Sequence, residues 1–232
     1  MTGTQRSHDS LISTVEITEE YPSALPDYAR VPIAFEVREV FDVMAAAHGT
    51  EGPHLRLRTL ATPYVKDYDA DPAHGPLQWV VRFDLRRWGF FKASLNGNRV
   101  GAAAIVHDSP DIDMLERQSD LALLWDLRVA PDARREGVGA LLFQAAERWA
   151  SMRGARRLKV ETQNINVPAC RFYASQGCTL GATDHTAYPD LPDEVQLLWY
   201  KELATPLCLQ TTHRCAQNPD PGAAGAGDSP AQ

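Results

Sequence analysis

Several large classes of protein are excluded by what this sequence has little of. Its 232 residues contain no apolar run approaching the length of a bilayer span, and the polar start of the chain has no signal-peptide core. A soluble cytoplasmic protein with no membrane contact is therefore expected. Cysteine is scarce, with residues 170, 178, 208 and 215 and no C-x-x-C pair, so reduced thiols are expected rather than a disulfide framework. Cys208, His213 and Cys215 lack a fourth ligand at suitable spacing, and no metal site is expected. Positive charge is also short. The 23 Lys and Arg against 30 Asp and Glu give a formal charge of −7, which argues against a general nucleic-acid binder and suits a cationic partner.

What remains is ordinary globular composition, 44% apolar and 23% charged, enough for one domain with a full core. Residues 1–13 are polar and read as a flexible N-terminus. Residues 205–232 turn to Pro, Gly, Ala, Asp and Gln and read as a disordered low-complexity tail. One domain over 14–204 lies between them, without internal repeats.

The stretch from Leu127 to Trp149 organises that domain. An apolar strand, Leu121–Val129, runs through Ala130-Pro131-Asp132 into Arg134-Arg135-Glu136-Gly137-Val138-Gly139 and then a helix. In the helix Val138, Leu141, Leu142, Ala145, Trp149 and Met152 recur on one face. Two close glycines let a backbone approach a ligand without a Cβ in the way. The unpaired N–H groups and dipole at the helix start favour negative charge, and Arg134 and Arg135 add two cations. This is the chemistry of a pyrophosphate cradle. It is not a Walker loop, having no Lys-Ser/Thr after the glycines, and it lacks the G-x-G-x-x-G of a dinucleotide fold. On the residues alone, a tight loop with solvated arginines fits equally.

Alternation predicts a half-buried strand over 33–43, ended by Ala45-Ala46-Ala47-His48-Gly49, and a shorter one over Leu55–Leu60. Tyr64, Lys66, Asp67, Tyr68, Asp69 and Asp71 read as an aromatic–acidic loop, either plainly solvated or one wall of a cation pocket. Strands are predicted at Gln78–Asp84 and Gly89–Leu95, the latter turning through Asn96-Gly97 into Arg99–Val106. His107–Asp120 is a polar loop. Strand Leu158–Glu161, helix Ala169–Gln176 and a last strand near Val195–Lys201 complete an α/β (α+β) sheet.

The cradle resembles the acyl-CoA-binding motif of the GNAT superfamily of N-acetyltransferases. Residues 158–178 are similar to that superfamily's next strand and helix, with Asn166-x-x-Ala169-x-x-x-Tyr173-x-x-x-Gly177; Cys178 stands where the superfamily usually has Phe. Glu161-Thr162-Gln163-Asn164, Val167–Tyr173, Pro63–Tyr68 and Leu198-Trp199-Tyr200 are especially similar to the streptothricin acetyltransferases, over roughly residues 15–203. Many GNAT chains open with two helices; here the early region reads as strand-rich or irregular, as in that subgroup.

The resemblance implies a mixed, mostly antiparallel twisted sheet with splayed central strands and flanking helices. Acetyl-CoA would be the cosubstrate, with no metal. Backbone groups of Leu127 and Val129 would pair with pantetheine, and Arg134, Arg135, Gly137, Val138, Gly139 and Ala140 would hold the pyrophosphate. Asn166 and Ala169 would touch the cofactor arm, although Asn166 could instead cap its helix. Tyr173 would protonate the departing thiolate: a phenol of pKa about 10 lies close enough to a thiol of about 8.5. Its alternative is a packing tyrosine. Asp126 is the candidate base and Glu161 the rival, which could instead pair with the substrate; either could be structural, bonded to Arg128 or Lys159. Trp125, Tyr64 and Tyr68 would line the acceptor pocket. The expected activity is acetylation of a primary amine on a small cationic acceptor, a streptothricin-class antibiotic at its β-lysine amine, conferring resistance. Other acceptors in view are a polyamine, an aminoglycoside or a protein amine, and a non-catalytic acyl-CoA sensor is a further reading. A homodimer through the C-terminal strands is a family-level expectation.

Overall fold

The computed structural model describes residues 14–44 and 53–204. In chain order the elements are β1 (Glu16–Glu20), α1 (Leu25–Tyr28), β2 (Phe35–Met44), β3 (His54–Lys66), α2 (Trp79–Arg82), β4 (Trp88–Leu95), β5 (Asn98–His107) and β6 (Leu121–Val129). After β6 come α3 (Val138–Met152), β7 (Arg157–Gln163), α4 (Val167–Ser175), β8 (Thr179–Asp184) and β9 (Gln196–Glu202). Seven strands form one sheet in the order β1-β4-β5-β6-β7-β9-β8, and β2 and β3 form a separate ribbon. Every pairing in the sheet is antiparallel except β6 with β7. The mixed, mostly antiparallel sheet is as expected.

The parallel pair is short. β6 and β7 are in register from Leu121↔Arg157 to Leu124↔Val160, and pairing then stops. β6 goes on with β5 as far as Val129↔Gly101, and β7 goes on with β9 to Gln163↔Gln196. The two central strands therefore part at Trp125 and Glu161. A bulge lies at the same level: Ile105 faces Leu124 and Ala104 faces Asp126, leaving Trp125 as the extra residue. Strand alternation is interrupted there, so Trp125 and Asp126 need not point to opposite faces.

One face of the sheet is covered by α3 and α4, where Phe91, Ile105, Leu124, Leu142, Phe143, Trp149, Val160 and Tyr173 form one core. The other face carries α1 and α2, with Leu25, Tyr28, Trp79, Trp88, Phe90 and Leu123 in a second core. Trp149 also donates to Glu19 Oε1 at 2.9 Å, tying edge strand β1 to α3.

Several boundaries differ from the sequence reading. Gln78–Asp84 is not a strand: after Pro76 the chain makes the single helical turn α2, which sinks Trp79 against Tyr28 and Trp88 and leaves Val80 and Val81 exposed. Burying one large indole outweighed the strand propensity of two valines. Strand β3 runs on to Lys66, so Tyr64 lies on a strand rather than a loop, because β2 continues beside it through Val37↔Tyr64 and Phe35↔Lys66. Edge strands β1 and β8 and the turn α1 gave no periodicity strong enough to predict. In α3 the buried face is Val138, Leu142, Phe143, Ala145, Ala146, Trp149 and Ala150, while Leu141 and Met152 are exposed. The early region has only single-turn helices, as expected. Residues 1–13, 45–49 and 205–232, among them Cys208, His213 and Cys215, lie outside the described residues.

Candidate active site

The donor side follows from the end of β6. Beyond Val129 a short 3-10 turn (Pro131–Ala133) leads to Arg135 and Gly137, both with positive φ (68° and 82°), and α3 begins. The N–H groups of Val138, Gly139 and Ala140 have no acceptor within the helix and face outward. Gly137 is required by its backbone: a Cβ there would meet nothing within 4 Å, but the left-handed conformation disfavours one. Gly139 has a different reason. A Cβ there would lie 3.3 Å from the ring of Phe172 and 3.8 Å from Val129, so its absence lets α3 and α4 approach each other closely.

The two arginines also separate. Arg134 turns back, donating from Nε to the Val129 carbonyl and from a terminal nitrogen to Ala34, both at 3.0 Å. Burial lowers its pKa somewhat. Arg135 is exposed and is the cation available at the helix start. Leu127 and Val129 pair with β5 through one backbone edge, and their other edge faces the gap left by β7. An unpaired strand edge beside an open helix N-terminus fits an extended amide chain ending in a pyrophosphate.

Asp126 sits in a buried ion cluster. Arg128, only 3% exposed, donates to both its oxygens, reaches Asp69 at 2.7 Å and the Val31 carbonyl at 3.1 Å, and lies over the Tyr28 ring. The structural reading of Asp126 is thus realised through Arg128. With both oxygens engaged, Asp126 is poorly placed to take a proton. Tyr28, 1% exposed, lies beside Asp126, and burial followed by the charge of Asp126 raises its pKa.

Tyr173 lies on α4, buried, its ring against Phe172 and Phe143 at 5.1 and 5.9 Å. Burial raises its phenol well above the usual value, and the charge of Asp126 adds to that. The hydroxyl therefore keeps its proton and is a weaker acid than a free phenol, which loosens the match to a thiol of about 8.5. Asn166 caps α4, its Oδ1 accepting from the N–H of Ala169 at 3.2 Å, while its amide donates toward the Tyr68 hydroxyl at 3.4 Å. Tyr68 in turn donates to Gln163. Ala169 therefore takes part through its N–H, which the cap occupies.

Glu161, at the first unpaired level of β7, accepts a hydrogen bond from Tyr188. Burial and the charge of Glu161 raise the Tyr188 phenol. Lys159, the other suggested partner, is bonded instead to Glu116 and the Met114 carbonyl. Tyr188 was missed because it belongs to an irregular segment without motif or period. Arg128 was in view only as a possible partner of a carboxylate; its burial and its bonds to Asp69 and Val31 carried no signal in the sequence. Trp125 packs edge-on against Trp88 (5.1 Å) and Phe83 (5.2 Å), making it the rim of the second core rather than a free pocket wall. Tyr64 and Tyr68 do not form one wall: Tyr68 stands at the gap, and Tyr64 lines a groove beneath the ribbon. Among the described residues no His, Cys, Asp and Glu cluster could hold a metal ion, and no helix is long and apolar enough to cross a membrane.

Comparison with known proteins agrees with this geometry. The acetyltransferase (GNAT) family model matches residues 55–178. The chain is 33% identical to the streptothricin acetyltransferase of Escherichia coli over 169 residues, 72% of this chain and 84% of that one. It is 25% identical to the streptothricin acetyltransferase of Streptomyces lavendulae over 82% of this chain and 96% of that one. The crystal structure of nourseothricin acetyltransferase superposes with a TM-score of 0.64 at 23% identity, covering 82% of this chain and 99% of that one. A Bacillus anthracis structure in complex with acetyl coenzyme A gives 0.66 at 22% identity, with 82% and 100% coverage. The chain belongs to the GNAT family, and is an N-acetyltransferase that takes its acetyl group from acetyl-CoA.

Proposed function

We propose that the acceptor is a streptothricin-class antibiotic, acetylated on the primary amine of its β-lysine side chain. The observation that carries this reading is Glu161, held by Tyr188 at the level where β6 and β7 part, opposite the strand edge suited to the donor. A carboxylate there can receive an ammonium and bring its nitrogen to the thioester. Similarity to the E. coli streptothricin acetyltransferase, over 72% of this chain, supports the choice of acceptor.

Acetyl-CoA supplies an activated acyl carbon and a thiolate leaving group. Leu127 and Val129 hold the pantetheine arm through their backbone, and a backbone N–H of β6 faces the thioester oxygen, where charge develops. Val138, Gly139, Ala140 and Arg135 receive the pyrophosphate. An alkylammonium of pKa about 10.4 must lose a proton before its nitrogen can attack. Glu161 accepts it, directly or through water, and Asp126, fixed by Arg128, stabilises the positive charge until then. As the C–N bond forms and the C–S bond breaks, Tyr173 gives its proton to the departing sulfur.

The test is steady-state acetylation of streptothricin, spermidine, an aminoglycoside and a lysine peptide at equal concentration. Streptothricin is expected to show the highest kcat/KM, and Glu161→Gln to raise its KM well above any effect on acetyl-CoA. Equal kcat/KM for all four would end the assignment. No release of free coenzyme A thiol with any of them would favour a sensor.

A further inference from the structure

Neighbouring strands of a sheet are kept at a fixed distance by the hydrogen bonds between them. β6 and β7 lose those bonds after Leu124 and Val160, yet both run on, to Val129 and Gln163. Which side chains turn to which face beyond the split follows from alternation. Leu127 and Val129 pack against the first core, so Arg128 turns to the other face, where it meets the Val31 carbonyl and the Tyr28 ring. On β7, Val160 belongs to the first core and the Thr162 hydroxyl lies 3.4 Å from the Cys170 sulfur of α4. Glu161 and Gln163 therefore turn to the same face as Arg128.

One short turn, residues 67–70, reaches both strands. Tyr68 donates its hydroxyl to the Gln163 side chain on β7 and receives the Asn166 amide at 3.4 Å. Burial, above all, raises the Tyr68 phenol, so it stays a donor. Asp69, the very next residue, accepts from Arg128 on β6 at 2.7 Å, a charged and buried anchor. The turn between these two ends is stiff. Asp67 accepts the Asp69 N–H through its side chain at 3.0 Å and the Ala70 N–H through its carbonyl at 3.4 Å. Before the turn, Lys66 is bonded to Glu194 at 2.6 Å, and its ammonium lies over the Tyr68 ring, 5.9 Å from the centroid. That ring also rests against Phe35 of the ribbon, 5.6 Å away. Adjacent residues of a fixed turn cannot move apart, so Tyr68 and Asp69 carry the position of one strand to the other.

Resting on the reading of Glu161 above, we propose that residues 67–70 brace the split between β6 and β7, and that Tyr68 and Asp69 are positioning residues which hold the donor strand at the distance from Glu161 that acetyl transfer needs. The donor edge belongs to β6 and Glu161 to β7, and the ladder between the two strands ends short of that level. Reacting atoms must be brought to about 3–3.5 Å of each other, and a misplacement of about 1 Å can cost about a hundredfold in rate. A brace tied to Arg128 at one end and to Gln163 at the other supplies the constraint that the missing ladder does not. Both residues act through those partners rather than on the reacting atoms.

The test compares Asp69→Ala, Tyr68→Phe and the double variant, assayed with whichever of streptothricin, spermidine, an aminoglycoside and a lysine peptide the parent acetylates fastest. Each single variant is expected to lower kcat about tenfold, with calorimetric acetyl-CoA affinity kept within about twofold. The double variant is expected to fall no further than the worse single one, because freeing either end already releases the brace. Losses that multiply, or an unchanged kcat in either single variant, overturn the inference. A second measurement needs no turnover. Deuterium uptake by backbone amides should speed up at least about fivefold in Asp69→Ala over residues 125–129 and 161–163, and stay within about twofold over 121–124. Equal acceleration along the whole of β6 would mean general loosening, and also overturns it. Failure to acetylate streptothricin removes the proposed acceptor, while the brace is still decided by amide exchange.

Discussion

Everything suited to holding the acyl donor comes from one run of chain, from the free edge of β6 to the first turn of α3. The acceptor side proposed above would draw on Asp69, Tyr68, Glu161, Tyr188 and Glu194, which lie far apart in sequence and are each held by a side-chain hydrogen bond. What suits the donor side is mainly backbone: an unpaired strand edge, a positive φ at Gly137 and the open N–H groups of a helix. The proposed acceptor side would instead rely on side chains that orient one another. A backbone device tolerates changes of side chain but not of conformation. A side-chain network behaves the other way, which suits a site that must vary with its acceptor while the donor stays the same.

Arg128 joins the two sides, and its loss should have the largest effect. Arg128→Met would leave Asp126 and Asp69 without their buried partner, and a stability loss of about 3–5 kcal/mol is expected in denaturant unfolding. A variant of unchanged stability would show that the cluster holds nothing together. Tyr173→Phe tests the chemistry that both sides serve. It should lower kcat about ten- to a thousandfold with acetyl-CoA affinity retained; an unchanged kcat, with chemistry rate-limiting, returns Tyr173 to the core.

Gly137→Val should strike only the donor side, reducing acetyl-CoA affinity about five- to thirtyfold with the fold kept, since a β-branched residue resists the left-handed conformation by about 1–2 kcal/mol. Normal calorimetric affinity in the folded variant would remove the cradle. Gly139→Ala sharpens the contrast. Its methyl meets Phe172 rather than a ligand, so a stability cost of about 1 kcal/mol is expected, with a smaller change in affinity than at Gly137. The reverse order of affinities would restore Gly139 to the phosphate site.

The smallest effect concerns alkali and the shared core. Burial pushes the Cys170 and Cys178 thiols up to about 11. Folding therefore favours the protonated thiols: their contribution is intact below the unfolded value of about 8.5 and is lost as pH rises through about 11. The midpoint of thermal unfolding should begin to fall above about pH 9, and less steeply in Cys178→Ala than in the parent. Equal slopes would acquit the thiol.

How much of this could be read in advance follows the same division. Strands Leu121–Val129 and β5, the Asn96-Gly97 turn and helix α3 were legible because hydrophobic period and turn residues report local conformation. Tyr173's position on the helix after β7 was legible through the resemblance that its spacing from Ala169 and Gly177 carries. Trp79 was not, because a run containing two valines scores as strand until an indole has somewhere to go. Tyr188 and Glu194 were not, because they lie in an irregular segment and acquire roles only from Glu161 and Lys66.

The sequence by itself determined the donor half: the strand, the glycines and the helix start are contiguous, and their geometry is set by residues within a few positions of one another. Tertiary structure alone decided which reason each glycine has, that Arg134 folds back onto Val129 and Ala34 while Arg135 stays free, and that Asp126 is held by Arg128. It also decided that Glu161 is held by Tyr188 and Glu194 by Lys66. These outcomes depend on distances between segments far apart in the chain, and no local pattern encodes a distance that only packing fixes.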